Sequence, residues 1–168
     1  MRLSLARLIF TLVMSVMLVT AASGSLPGVN STAPDFALKS TSGENVRLSE
    51  FRSEVVLVTF LASWCRSCRT SIPKLVQMHA GNTDEDFHIV AVSLDEDSEV
   101  TRRVTRELGI PFPVLSDDKH TVAELYDLPD LPVTLLLDRK GNVRFVHRGY
   151  ESGDETLYAG EAAALLAE

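Results

Sequence analysis

The sequence predicts an α/β fold, a mixed sheet with helices on both faces, and three observations carry that expectation. Two apolar runs, Val55–Ala62 and Phe87–Leu94, are rich in β-branched residues and lack helical gaps, the pattern of strands buried on both faces. The first run is followed by Arg69–Met78, whose apolar residues recur at helical intervals, and the second by a capped stretch that reads as a helix. Further on, Val133–Asp138 and Val143–His147 flank the turn Arg139–Asn142 as a hairpin, and a helical stretch closes the chain. Strand–helix–strand alternation followed by a hairpin and a helix gives a layered α/β sandwich.

Residues 1–24 differ in kind from the rest. Arg2 and Arg7 precede the apolar stretch Leu8–Ala22, which is broken only by Thr11, Ser15 and Thr20, and no acid occurs before Asp35. Small residues Ala21–Gly24 offer cleavage sites, so the segment reads as a secretory signal peptide. An uncleaved anchor is the rival reading, although spanning a bilayer usually takes about 20 apolar residues. No cysteine lies in the leader, which excludes a lipid-anchored lipoprotein. Residues 25–32, with Pro27, Gly28 and Asn30, form a linker, and residues 33–168 form one domain expected to work outside the cytoplasm.

The domain opens with Ala33–Leu38, the turn Ser42–Asn45 and Val46–Leu48, a small hairpin or meander expected at the sheet edge, with Leu48–Phe51 as a helical turn. The strand Val55–Ala62 and a helix from about Cys65 to His79 come next. Pro73 lies inside that helix, where it removes a backbone hydrogen bond and bends the axis. After the strand Phe87–Leu94, Asp95–Ser98 makes a loop and cap, and the helix Glu99–Leu108 is stopped by Gly109 and Pro111. Pro113–Leu115 is a short extended piece, and Thr121–Tyr126 is a helix capped by Asp117-Asp118. Pro129–Pro132 interrupts the chain before the hairpin, and Glu155–Ala167 is the closing helix.

Composition narrows the function. The chain has 168 residues, 45% hydrophobic and 23% charged, which suits one compact domain plus a leader. Net charge is −7, and the leader contributes only two arginines to it, so the domain itself is more acidic still. With no basic run, nucleic acid and anionic lipid are poor partners. No Gly-rich phosphate fingerprint and no internal repeat occurs. The two cysteines, Cys65 and Cys68, are too few for a structural disulfide framework. A static staple over so short a loop would remove little unfolded-state entropy.

Chemistry gathers where those cysteines stand. Cys65 falls at the turn from strand to helix, at or near the helix N-terminus, where unpaired N–H groups and the positive end of the dipole favour a thiolate. Arg66 and Arg69 add positive charge. Two cysteines three apart close a small, reducible ring, and the first can attack another protein's disulfide. The pair is a thiol–disulfide exchange site.

The pieces Ala33–Phe36, Phe60–Cys68, Pro73, Ile89–Leu94, Pro111–Leu115 and Leu131–Asp138 together resemble the exported TlpA/ResA-like branch of the thioredoxin superfamily, which includes periplasmic reductases of cytochrome c maturation. The resemblance implies a thioredoxin fold with an N-terminal β-hairpin extension. It implies that Cys65 is the exposed nucleophile and Cys68 the buried resolving thiol. It makes Pro132 the cis-proline beside the pair. The backbone of Leu131 would then pair with an extended substrate segment, with Trp64, Arg66 and Ser67 completing the groove. It implies no cofactor and no metal, protein disulfides or dithiols as partners, a membrane-bound thiol reductant as electron donor, and a periplasmic or otherwise extracytoplasmic location.

Three departures from that pattern stand out. Thr59 replaces the buried acid that many thioredoxins carry on the central strand, and Ser71 replaces the glutamate that ResA-like members carry three residues after the second cysteine. The dipeptide Arg66-Ser67 lacks the proline frequent between the cysteines. The direction of electron flow is therefore open at this level. A peroxiredoxin-like peroxidase is one alternative, since Ala33–Phe36 also opens such domains, but the threonine and proline usual before a peroxidatic cysteine are absent. A Sco-like copper chaperone is the other, with His147 as the distant ligand. His79, His88, His120 and His147 otherwise read as surface or strand-edge residues, and Asp84–Asp86 and Asp95–Glu99 as solvated loops and caps.

Overall fold

The computed structural model describes residues 26–82 and 84–168; the expected leader, residues 1–24, lies outside them. The strands are β1 Ala37–Ser40, β2 Asn45–Arg47, β3 Val55–Leu61, β4 Phe87–Ser93, β5 Val114–Ser116, β6 Val133–Leu137 and β7 Val143–Arg148. The α-helices are α1 Arg66–Gly81, α2 Ser98–Glu107, α3 Thr121–Leu125 and α4 Asp154–Leu166, and Leu48–Phe51 is a 3₁₀ turn as expected. Among the described residues no helix is long and apolar enough to cross a membrane.

All seven strands join one sheet in the order β2-β1-β5-β4-β3-β6-β7. β3 pairs in parallel with β4 and antiparallel with β6, so it is the innermost strand of the site-bearing half. Every residue of β3 is buried, which is what its unbroken apolar run requires. Burying each of Val55, Leu57, Val58 and Phe60, all at 0% exposure, contributes about 1.5–3 kcal/mol. The N-terminal hairpin does sit at the sheet edge, antiparallel to β5. Its first strand begins at Ala37 rather than Ala33, because pairing with β2 starts there, Ala37 opposite Arg47. In the β6–β7 turn Gly141 has φ +76°, and a Cβ there would come within 1.7 Å of Arg52 Nη1.

The crossovers β3–α1–β4 and β4–α2–β5 step across the sheet in one direction, so right-handed connections put α1 and α2 on the same face. The return crossover through α3 covers the opposite face, where Tyr126 stacks on Phe60 with ring centroids 5.0 Å apart. α4 packs on α1 and β3, closing the first face. Since side chains alternate along a strand, Thr59 points away from Tyr126, under α1 and α4.

Candidate active site

β3 ends at Leu61, a turn follows in which Cys65 N–H donates to Ala62 C=O at 3.1 Å, and α1 begins at Arg66. Cys65 is the N-cap of α1, and its Sγ accepts the Cys68 backbone N–H at 3.1 Å. The cysteines form a disulfide, with S–S 2.06 Å and Cα–Cα 5.3 Å. Ser67 Oγ lies 3.6 Å from Cys65 Sγ. Cys65 is 6% exposed and Cys68 0%, so both are buried, and Cys65 is not the exposed residue that the resemblance implies.

Next to Cys65, Trp64 is 65% exposed and is not core packing. Arg66 is exposed, and Ser67 is half-buried. The Leu131–Pro132 peptide bond is cis. Because Val133 pairs with Phe60, Pro132 stands opposite the C-terminal end of β3, the end that leads to Cys65. Pro132 is buried and its C=O accepts from Gly149 N–H at 2.8 Å. Among the described residues, neither the N–H nor the C=O of half-buried Leu131 has a hydrogen-bond partner, so a main-chain donor and acceptor stand open beside the site.

The structure places no acid at the two positions where the resemblance lacks one. Thr59, 1% exposed, bonds through Oγ1 to Thr134 Oγ1 at 3.1 Å, and Ser71, 4% exposed, donates its hydroxyl to Cys68 C=O at 3.1 Å. Tyr158 on α4 is buried on this same face, and burial, with the charge of Asp154 behind it, pushes its phenol up to about 12. His147, the cross-strand partner of Thr134, is not a plain surface residue: its Nε2 meets Glu161 Oε2 at 2.7 Å. Among the described residues no group of three or more His, Cys, Asp or Glu could hold a metal ion.

One acid that sequence reasoning had assigned to a solvated loop is buried at the site. Asp95 is 5% exposed, and its carboxylate accepts from Ser63 N–H at 3.1 Å and Ser63 Oγ–H at 2.7 Å, two residues before Cys65. No local signal marks this burial: Asp95 stands two residues past the end of β4, and the donors that hold it inside are on Ser63 and Ser93.

Comparison with known proteins agrees with this geometry. Residues 29–146 match the model of the AhpC/TSA family. The chain is 31% identical over 121 residues to the thiol-disulfide oxidoreductase ResA of Geobacillus kaustophilus, covering 72% of this chain and 70% of that protein. It is 30% identical over 113 residues to ResA of Bacillus subtilis, covering 67% of this chain and 63% of that one. A Chlorobium tepidum structure described as a thiol:disulfide interchange protein DsbE superposes with a TM-score of 0.78 at 34% identity, covering 83% of this chain and 99% of the other. With a Trp-Cys-x-x-Cys turn at the head of α1 and a cis-proline facing the end of β3, the chain belongs to the AhpC/TSA family, among its ResA-like thiol–disulfide oxidoreductases.

Proposed function

We propose that the protein is an exported reductase of protein disulfides in which Cys65 attacks and Cys68 resolves. The observation that carries this reading is the unequal setting of the two sulfurs. Cys65 Sγ alone caps the helix and receives a backbone N–H, while Cys68 is wholly enclosed. In the reduced protein the same N–H and the helix dipole stabilise a Cys65 thiolate. That thiolate attacks one sulfur of a substrate disulfide, forming a mixed disulfide and releasing the other sulfur as a thiolate. Cys68, once deprotonated, attacks Cys65 Sγ, forming the Cys65–Cys68 disulfide and releasing the second substrate sulfur. Two electrons pass to the substrate, and the two protons of the dithiol end on its thiols. The open backbone of Leu131 pairs with an extended substrate segment, and Trp64, Arg66, Ser67 and Pro132 wall the groove. A membrane-bound dithiol outside the cytoplasm returns the electrons, and residues 1–24 serve as export signal or anchor.

Substituting Cys65 by Ser abolishes reduction of insulin disulfides, whereas Cys68→Ser leaves a stalled mixed disulfide that can be isolated on non-reducing gels. Full activity in the Cys65→Ser protein overturns the assignment, as does rapid turnover of hydrogen peroxide in place of protein disulfides. Direction is read in intact cells by trapping free thiols: a mostly reduced pair marks a reductase, and a mostly oxidised one an oxidant.

A further inference from the structure

We propose that Asp95 is a positioning residue for Cys65, acting through Ser63 to hold the turn that presents the attacking sulfur. The inference rests on the reading of Cys65 as nucleophile and adds a residue that this reading did not require.

A carboxylate at 5% exposure is normally balanced by a cation, yet among the described residues Asp95 has no ion pair. Hydrogen bonds do the balancing instead. Ser63 N–H lies 3.1 Å from both oxygens, Ser63 Oγ–H donates to Oδ1 at 2.7 Å, and Ser93 Oγ–H donates to Oδ2 at 2.9 Å. The Ser93 hydroxyl is steadied in turn by Thr101 Oγ1–H at 3.2 Å. On its other side, Ser63 C=O accepts Arg69 Nε–H at 2.8 Å. Every polar group of Ser63 is thus committed, two to the end of β4 and one to the first turn of α1. The residue is fixed between the two elements that must be in register for Cys65 Sγ to meet the Cys68 N–H.

Burial of a charge is a poor device for stability alone, since apolar replacements of similar volume often serve as well. Here the charge grips the one short turn that joins the central strand to the nucleophile. The cluster lines a cleft of about 390 Å³ between α1 and α2, whose other charged lining residues are Arg69 on α1 and Arg103 and Glu107 on α2. Arg66 is the remaining charged group of the first turn.

Two roles for Asp95 predict opposite signs. Its negative field, acting alone, opposes a Cys65 thiolate, so removing the charge would speed alkylation. Its grip on Ser63 favours the thiolate by keeping the Cys68 N–H on the sulfur, so removing it slows alkylation. Asparagine weakens the grip without abolishing it: its amide oxygen still accepts from Ser63, but an NH₂ replaces the oxygen that shares the Ser63 N–H, and the charge that strengthens these bonds is gone.

The experiment follows alkylation of the reduced protein by iodoacetamide against pH, with the modified cysteine identified by mass. Asp95→Asn is expected to raise the Cys65 thiol pKa by about one unit and to slow alkylation about tenfold at neutral pH. Ser63→Ala, which keeps the N–H bonds and loses only the hydroxyl, shifts the profile in the same direction by less, and it tests the idea even if Asp95→Asn fails to fold. Thr101→Val, which loosens only the outer hydrogen bond, leaves the profile in place. An unchanged or faster rate in Asp95→Asn or Ser63→Ala overturns the inference, and so does an equal shift in Thr101→Val, which would mark general loosening. First alkylation at Cys68 in the unsubstituted protein overturns the parent reading and this inference with it. A normal Cys65 profile in the variants overturns this inference alone.

Discussion

Thr59 and Thr134 answer each other across β3 and β6, 1% and 2% exposed, with their hydroxyls 3.1 Å apart under the first turns of α1. Two neutral hydroxyls satisfy one another where a carboxylate would have to be balanced, so the pair is a structural solution to a polar spot below the disulfide. Removing one partner strands the other. Thr59→Val is therefore expected to cost about 1–3 kcal/mol, while the double change to valine costs less than twice that, since no hydroxyl is left unpaired. Urea denaturation of Thr59→Val, Thr134→Val and the double variant measures the coupling, and strict additivity would mean that the hydrogen bond carries nothing. What could be read from the chain follows the same local logic. Cys65 and Cys68 declare themselves by a spacing and a strand-to-helix switch, and Trp64 and Pro132 only through the resemblance to ResA-like proteins. Asp95 does not. In Asp95–Glu99 the exposed Glu96, Asp97 and Glu99 behave as a polar loop should, and only the place where β4 ends decides that the first of them points inward.

α3 is the shortest α-helix among the described residues, five residues, and it lacks an ordinary cap. His120 at its N-cap position is left-handed, with φ 56°, and gives no side-chain bond to the helix. Asp117 does the work from further back: its Oδ2 accepts from Val122 N–H at 3.0 Å and Ala123 N–H at 2.8 Å, and its Oδ1 from Thr121 Oγ1–H at 3.1 Å. The carboxylate is 1% exposed, so Asp117→Ala both frees two helix donors and leaves them buried. The expected loss is about 2 kcal/mol, read from the urea midpoint at unchanged slope; a loss below a few tenths would show that α3 is held by Val122 and Tyr126 packing alone. The Asp117-Asp118 signal was legible as a cap, and Asp97 likewise caps α2 by accepting Glu99 N–H at 2.8 Å, which starts that helix at Ser98 rather than Glu99. α1 runs two residues past His79, and Asn82 N–H returns to His79 C=O to close it. Ala33 and Phe36 misled more seriously. They are buried like strand residues, yet Phe36 packs on Tyr126, whose ring lies 5.9 Å away and whose hydroxyl donates to Pro34 C=O at 2.6 Å, and Ala33 N–H donates to Gly141 C=O at 3.0 Å. A partner 92 residues away leaves no local trace.

The molecule as a whole is poised between carboxylates held below their usual range and tyrosines held above theirs. Partial burial pushes Asp35 up, but bonds from the Ser49 hydroxyl, Arg47 and the Ser49 N–H outweigh it and leave the pKa below 3.8. Asp138 is pushed up by burial in the same way and pulled below 3.8 by Asn142, Lys140 N–H and Arg144. For groups so depressed the unfolded chain binds the proton first, so their stabilisation is complete above the unfolded values and is lost as pH falls through the lower folded ones. Tyrosine runs the other way. Burial, then the charge of Asp154, raises Tyr158 from 10.0 to about 12, and burial raises Tyr126 and Tyr150 as well. Above pH 10.0 the unfolded chain sheds these protons while the fold keeps them, so stability falls as pH climbs through the folded values. Unfolding free energy from urea titrations is therefore expected to be flat between about pH 5 and 9 and to decline on both flanks. The alkaline flank can be assigned. Tyr158→Phe removes one of the three phenols and keeps the ring against His147, 4.7 Å between centroids, so its decline above pH 10.0 should be shallower than that of the unsubstituted protein. An unchanged alkaline slope in that variant would mean that the buried phenol on α4 does not hold its proton, and the descent would then belong to Tyr126 and Tyr150.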